Sequence, residues 1–257
     1  RVTAVEPEVA GRRIVRIAGD EPLAARAVLG ATGRGARVPG LTPERTRKRP
    51  RHIALKAHFR GVGIGVVRVF ALRGAYVGLS PVENGETNVC LLASRGAFER
   101  AGRDADILLE AAAQRSSLFR SAWRGIERAE PWVSAAGMDW SRRAPVGPAG
   151  LLAGDAAAEI APFLGEGMSM AMESGRLAAL WTAAAFSGAG AGPVSIAAYS
   201  RQWRRRFRGR LRTGRALHGL MLSRHASAAA VRALGLVPGA ADRIVRATRA
   251  ELIGECP

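Results

Sequence analysis

Two groups of residues between Leu151 and Ala179 could bind a ligand that has hydroxyl groups and a centre of negative charge. Asp155 follows the apolar run 151–153, which is short enough for a buried strand, so its carboxylate would stand at the strand end and accept hydrogen bonds from hydroxyl groups. Pro162 makes a stiff corner, and Gly165–Met168 then leads into a helical pattern. Free N–H groups at a helix N-terminus favour negative charge on a bound group.

A strand and a helix must position these groups. Small or apolar residues at i, i+3, i+4, i+7 and i+11 predict that one face of the helix packs close to a sheet. The residues of this predicted face are Met168, Ala171, Met172, Gly175 and Ala179. Residues 156–158 are alanines, which would let a ligand lie close to the backbone. An ordinary strand-loop-helix packing unit would share this spacing, so both interpretations stay open.

Residues 151–179 resemble the second FAD-binding motif, G-D-A-A-x-x-x-x-P-x-x-G-x-G, of flavoprotein monooxygenases of the p-hydroxybenzoate hydroxylase type and of the geranylgeranyl reductase family. The sequence GDAAAEIAPFLGEGM, followed by ESGRLAA, is most similar to the geranylgeranyl reductase branch. The resemblance implies that Asp155 holds the ribityl chain of FAD and that Pro162 shapes the loop beside the isoalloxazine ring. Backbone groups of 165–168 would contact the pyrimidine end of that ring. The implied cofactor-binding residues here are Gly154, Asp155, Ala156, Ala157, Pro162, Gly165, Glu166, Gly167 and Met168.

An upstream segment adds to this resemblance. Ala27–Gly33 predicts a buried strand that runs into a glycine turn, and it is similar to the segment of these flavoproteins in which a strand ending in A-T-G or A-D-G returns to the nucleotide-binding sheet. The resemblance therefore adds Ala31 and Gly33 to the residues near FAD.

The sequence departs from the family pattern in three ways. Ala158 stands where glycine is usual, and Glu159 stands where an apolar residue is usual. These families also begin with a strand, a G-x-G-x-x-G turn and a helix that hold the FAD pyrophosphate. The glycines of 33–35, 61–65 and 188–192 do not have that arrangement. We therefore expect that this chain lacks the N-terminal unit, as a truncated or fragmentary chain or as half of a split gene.

Composition restricts the class of protein. The 257 residues are 48% hydrophobic, enough for a full core, and no apolar run approaches the length of a membrane span. The net charge of +18 comes almost entirely from arginine, aromatic residues are 5%, and no nucleic-acid-binding motif is present, so we expect no nucleic-acid partner. Cys90 and Cys256 match no metal or redox spacing, so we expect no metal. The N-terminal residues show no secretory signal, which favours a cytoplasmic protein.

Residues 52–93 form four strand-like runs, with the hairpin signal Asn84-Gly85 between the last two. We predict an antiparallel meander, and it resembles the substrate-domain sheet of the same flavoproteins. In that setting His58, Phe59, Tyr76 and Asn88 could line a substrate pocket, whereas core packing or a solvated face is the alternative for each. The sequence identifies no partner for His58, so it supports no role as a general base.

Helices are predicted at 105–115, at 117–127, at 194–222 and, in one or two pieces broken near Pro238-Gly239, at 226–252. In the long helix 194–222, a stripe for docking recurs every four residues: Trp203, Phe207 and Leu211. Arginines surround this stripe from Arg201 to Arg215. They predict either a solvated basic helix or contact with an anionic membrane surface on the inner membrane face.

Together these patterns predict an α/β (α+β mixed) fold with a partial Rossmann-like FAD-binding domain, an antiparallel-sheet substrate domain and C-terminal helices. The predicted divisions are 1–40 and 141–190 for the FAD-binding domain, 41–140 for the substrate domain and 191–257 for the helical region. The resemblance implies an FAD-dependent oxidoreductase that reduces an isoprenoid or similar apolar substrate, with NAD(P)H or another electron donor. The alternatives are a flavin-dependent monooxygenase of an aromatic or polyketide substrate and a truncated, non-catalytic flavoprotein fragment.

Overall fold

The computed structural model describes residues 1–34, 36–44, 51–61, 65–136, 140, 144–187 and 196–248. The chain divides into two compact units. The first unit contains 1–47, 139–215 and 242–257, and the second contains 48–138 and 216–241. The assignment of one predicted domain to a cofactor and of the other to a substrate stays a prediction.

The strands in chain order are β1 (Val2–Val5), β2 (Arg13–Ile17), β3 (Leu23–Ala25), β4 (Leu29–Gly30), β5 (His52–Arg60), β6 (Arg68–Leu72), β7 (Ala75–Pro81), β8 (Thr87–Ser94), β9 (Glu127–Arg128), β10 (Val133–Ala136) and β11 (Leu151–Leu152). The helices are α1 (Arg95–Arg100), α2 (Ala105–Arg115), α3 (Ser117–Trp123), α4 (Gly167–Phe186), α5 (Ile196–Leu222), α6 (Arg224–Leu236) and α7 (Ala240–Thr248). No described helix has both the length and the apolar character needed to cross a membrane.

The first unit contains two small sheets. The strands β1, β2 and β3 form an antiparallel sheet in that order, and β4 pairs with β11 in parallel. The strand predicted over Ala27–Gly33 is therefore shorter than expected, because only Leu29–Gly30 has a strand partner among the described residues.

The core of the first unit is built on the apolar stripe of α5. Trp203, Phe207 and Leu211 are buried, as their spacing predicts, and Tyr199 extends the stripe by one turn. Leu152 belongs to the same core cluster as this stripe. The helix thus packs through one stripe of aromatic and leucine side chains, and this part of the sequence prediction is confirmed.

In the second unit, a sheet in the order β10-β5-β8-β7-β6 is antiparallel throughout, with β9 paired to β5. The predicted four-strand meander is wrong in one respect: β5 lies beside β8, not beside β6. Only β6, β7 and β8 form a meander, since strand pairing depends on contacts between distant parts of the chain. The turn at Asn84-Gly85 connects β7 to β8 as predicted, and both residues have the left-handed φ that their sequence favours.

The core of the second unit lies on one face of this sheet. Leu55, Val77 and Leu91 project from three neighbouring strands into a cluster that contains Leu109 of α2 and Phe119 of α3. The first helix forms over 105–115 as predicted, whereas α3 ends at Trp123 and the chain enters β9 four residues later. After β9 the chain forms β10 over Val133–Ala136, and 137–139 lie outside the described residues.

Candidate functional site

Two neighbouring strands of the first unit end at the same edge. Because β4 and β11 are parallel, with Leu151 opposite Leu29, the residues that follow both strands leave from one side of the pair. The N–H of Ala153 donates to the carbonyl of Gly30 over 3.0 Å, which continues the pairing to the strand ends. The segments that begin with Ala31 and with Gly154 therefore leave the strand pair from the same end.

The turn after β11 is fixed to helix α4. Gly154 has a φ of +59°, and a Cβ atom there would lie 3.1 Å from the Cβ of Ala171. The Gly154 N–H donates to Oγ of Ser174 over 2.8 Å. These contacts hold the short helical turn Gly154–Ala156 against α4, so Asp155 and the helix start have a fixed spacing. Ser174 was not identified from the sequence, because nothing marks a serine inside a helix as a partner of a distant backbone group.

Asp155 is exposed at this turn. Partial burial of its carboxyl raises the pKa of Asp155, and the positive charge of Arg34 acts in the opposite direction. Arg34 follows β4, so its effect on Asp155 depends on the strand pairing and has no signal in the local sequence. The Oγ of Thr32, in the same segment, is buried and has no hydrogen-bond partner among the described residues.

The alanines that follow Asp155 belong to the fold more than to an open site. Ala156, Ala157 and Ala158 are buried in the core cluster of the first unit. The Ala157 N–H donates to the carbonyl of Gly154, and the Ala157 carbonyl accepts from the N–H of Ala144. Glu159 is buried as well. Only Asp155 of this stretch presents a side chain at the surface.

The start of α4 remains accessible. Pro162 begins a short helical turn, Gly165 ends it with a φ of +70°, and both residues are exposed. No described side chain caps the N-terminus of α4. Glu166 is buried immediately before the helix, and its Oε2 has no hydrogen-bond partner among the described residues. Gly167 and Met168 provide the first N–H groups of α4, and the Met168 side chain is 78% exposed.

The packed face of α4 differs from the predicted one. Met168 and Met172 are 78% and 72% exposed, and Ala179 is also exposed. The buried residues are instead Met170, Glu173, Ser174 and Ala178. The prediction relied on the positions of apolar and small residues. Helix α4 instead buries a neighbouring face that contains Glu173, because arginine side chains pair with this glutamate.

Those partners come from α5. The carboxylate of Glu173 accepts hydrogen bonds from Arg206 and Arg210, and both Glu173 and Arg210 are buried. Two of the arginines that predicted a basic surface helix are thus engaged inside the first unit. Burying a charge is costly unless it is paired, so this ion pair joins α4 to α5.

The predicted substrate-pocket residues lie in the second unit, and His58, Tyr76 and Asn88 are on the sheet face opposite its hydrophobic core. His58 stands directly across from Asn88, while Tyr76 pairs with Leu92, four residues further along β8. His58 and Asn88 are therefore neighbours and Tyr76 is not. Phe59, by contrast, points into the core and is buried.

His58 has a partner that the sequence did not reveal. Its Nδ1 lies 3.1 Å from Oε2 of Glu130, a residue 72 positions away along the chain. The statement that His58 has no identifiable partner is therefore corrected. Tyr76 is buried near His218, with a distance of 6.2 Å between ring centroids.

The sequence matches no protein-family model and no curated protein. Similar solved structures include the flavin-dependent brominase Bmp2, at 16% identity and a TM-score of 0.74 over 96% of this chain and 63% of that chain. HpxO from Klebsiella pneumoniae, solved with FAD and uric acid, is 19% identical with a TM-score of 0.60, over 96% of this chain and 64% of that chain. For pqsL of Pseudomonas aeruginosa, a probable FAD-dependent monooxygenase, the identity is 17% and the TM-score 0.61, over 89% of this chain and 65% of that chain.

This chain thus shares its fold with these three structures and spans less than two thirds of the length of each. The predicted mixed α/β fold is confirmed. The likeness to these flavin-dependent proteins is one of fold.

Proposed function

We propose that this chain is part of a flavin-dependent oxidoreductase and that FAD binds where β4 and β11 end. The main support is the parallel pairing of these strands, because it brings Ala31 and Gly33 to the same edge as Gly154 and Asp155. In open α/β sheets, ligands bind outside the carboxyl ends of the strands. The fold shared with HpxO, which was solved with FAD, points to the same cofactor.

The residues at this edge fit FAD. Asp155 offers an exposed carboxylate that can accept hydrogen bonds from ribityl hydroxyl groups. The N-terminus of α4, which no described side chain caps, can receive negative charge at the pyrimidine end of a reduced flavin. The Oγ of Thr32 and the Oε2 of Glu166 are polar atoms without a described partner, and a ligand with both donors and acceptors would supply one.

The roles of the chain's own residues follow from this fit. Bound FAD supplies the redox chemistry, and the protein supplies position and electrostatics. Asp155 orients the cofactor through its hydroxyl groups, and the first N–H groups of α4 stabilise negative charge. The left-handed conformation of Gly165 ends the preceding turn and directs the chain into that helix.

We further infer that the reaction is of the oxygen-dependent type, with a small aromatic or polyketide substrate and a nicotinamide electron donor. Support comes from the similar structures, which are a brominase, a uric-acid complex and a probable monooxygenase. Reduction of an isoprenoid rests on the resemblance of residues 151–179 alone. Contact of Arg201–Arg215 with a membrane rests on sequence alone as well, and Arg206 and Arg210 are engaged with Glu173.

The cofactor site is tested by titrating the purified chain with FAD and following flavin fluorescence. Loss of hydrogen bonds to a charged group costs about 1.5–3 kcal/mol, so Asp155→Asn should weaken binding about tenfold to hundredfold. Asp20→Asn is the matched control, because Asp20 is another exposed aspartate of the first unit. Equal affinities of the two variants, or no binding by the unaltered chain, would refute the proposed site.

The reaction class is tested separately on chain that has bound FAD. Oxygen uptake with NADPH that rises when a phenolic acid is added would support the oxygen-dependent type. Saturation of a prenyl double bond without oxygen uptake would instead support the reductase branch.

A further inference from the structure

The second unit contains a cavity of about 900 Å³ that has no part in the proposed flavin site. Its walls come from the edge strand β6, helices α1 and α2, the start of α3, and helix α6. This volume lies within the range of small-molecule sites, which is about 300–1,000 Å³. All of its described lining residues belong to the second unit.

The inner surface of the cavity is more apolar than polar. Phe70, Leu72 and Leu108 line it, and Leu108 is part of the buried core. Two larger side chains of the lining remain open to solvent, since Ile107 is 56% exposed and Leu118 is 78% exposed. Exposed apolar surface that adjoins a concave site is a feature of binding surfaces.

The rim carries positive charge from four separate segments. The arginines that line the cavity, all exposed, are Arg73, Arg100, Arg115 and Arg232. Among the described residues of the lining there is no aspartate or glutamate. Elsewhere in this unit, arginines have acidic partners, as in the pair of Arg95 with Glu99 and the pair of Arg128 with Asp106. The charge of the rim is therefore not compensated by the residues that line the cavity.

We propose that this cavity binds a single-chain amphiphile with an anionic head group, of the class of long-chain carboxylates. The alkyl chain packs on the apolar lining, and the rim arginines bind the carboxylate. Guanidinium groups bind carboxylates through two parallel hydrogen bonds, which gives this head group both affinity and orientation.

The same features disfavour other occupants. A nucleotide would need stacking surfaces, and Phe70 is the one aromatic side chain among the lining residues that the structure describes. A second copy of this chain in a symmetric dimer would bring the same arginine-rich rim to both sides of the interface, where like charges repel. A membrane surface is flat, whereas the apolar residues here line a concave site.

The test is calorimetric titration with monomeric dodecanoate, which requires no flavin. Dodecanoate should bind, whereas dodecanol, which lacks the charge, and acetate, which lacks the chain, should bind at least about tenfold more weakly. Arg100→Gln and Arg115→Gln should each weaken dodecanoate binding about tenfold. Ala111→Phe, which places a ring into the cavity lining, should weaken it without any change of charge.

Arg124→Gln is the matched control, because Arg124 is an exposed arginine of the same unit outside the lining. Equal weakening by Arg124→Gln, or equal binding of dodecanol and dodecanoate, would overturn the proposal. The proposal would also be overturned if monomeric dodecanoate did not bind while the protein co-sedimented with phosphatidylglycerol vesicles and the rim variants did not. FAD binding should be the same in Arg100→Gln as in the unaltered chain, so this test fails or succeeds independently of the flavin proposal.

Discussion

Acidification should destabilise this protein through His218. This histidine lies near the end of α5, is 5% exposed, and has its Nε2 atom 3.4 Å from Nε2 of His52. Burial is the main cause and the charge of His52 the second cause that together lower the pKa of His218 to about 4. The pKa of His52 is also lowered, mainly by burial and then by the nearby charge of Arg51. Both effects favour the neutral form of the pair in the folded protein.

The sign follows from comparison with the unfolded chain, in which a histidine has a pKa of about 6.5. Between about pH 6.5 and about pH 4, the unfolded chain binds a proton at His218 that the folded protein does not bind. The free energy of unfolding therefore falls as the pH is lowered through this window. With the folded pKa at about 4, the loss from His218 alone is about 2 kcal/mol at about pH 5 and about 3 kcal/mol below the window.

The assay is urea unfolding of the original protein and of His218→Gln at about pH 7 and about pH 5. Other groups titrate in both proteins. We therefore compare how much free energy of unfolding each protein loses between about pH 7 and about pH 5. The variant should lose about 2 kcal/mol less than the original protein. His58→Gln, which removes a partly exposed histidine of the same unit, is the control. An NMR titration of His218 near pH 6.5, or the same pH dependence in all three proteins, would refute the reasoning.

Three further substitutions test the packing. Gly40→Ala should lower the free energy of unfolding by more than about 2 kcal/mol, because the new Cβ would lie 1.7 Å from the carbonyl oxygen of Val5. The control is Gly19→Ala, which has the same left-handed φ but open space around it and should cost about 1 kcal/mol. Equal urea midpoints of the two variants would contradict this account. Glu173→Ala should lower the free energy of unfolding by about 3–5 kcal/mol, since it leaves the buried Arg210 without its carboxylate. The control Glu99→Ala, in an exposed ion pair, should cost less than about 1 kcal/mol in the same assay. A small effect at Glu173 would show that stability does not depend on its ion pair with Arg210. Trp203→Ala should lower the free energy of unfolding by about 3–5 kcal/mol because the ring is fully buried. The control Leu23→Ala removes an exposed side chain and should change stability little. Equal melting temperatures of the two variants would argue against α5 as the centre of the core.

Local patterns predicted local structure well. Asn84-Gly85 prefers left-handed backbone and forms the turn between β7 and β8, and the stripe of Trp203, Phe207 and Leu211 is buried as its period indicates. In each case the physical cause lies within a few residues of the chain, so the sequence contains it.

Long-range partners were not predictable in the same way. The position of β5 beside β8 and the contact of His58 with Glu130 depend on the final arrangement of distant segments. The face of α4 was predicted wrongly because Glu173 looks like a surface residue until Arg206 and Arg210 are brought to it. At the candidate site, Gly154 and Asp155 were predicted from their spacing and the family resemblance, and their role stays a prediction. The effect of Arg34 and the bond to Ser174 depend on the fold and have no signal in the local sequence.

The hydrogen bond from the Gly154 N–H to Ser174 attaches the turn Gly154–Ala156 to helix α4, so we expect the two to move together. Ser174 lies seven residues into α4, about 10 Å along its axis, so the anchor is remote from the end that carries Gly167. A ligand that displaces the Asp155 turn would therefore carry the whole helix with it. The segment between the Asp155 turn and the start of α4 contains the short helical turn Pro162–Leu164, which Gly165 ends. We expect the conformation of this segment to limit the size of a molecule that binds beside Asp155.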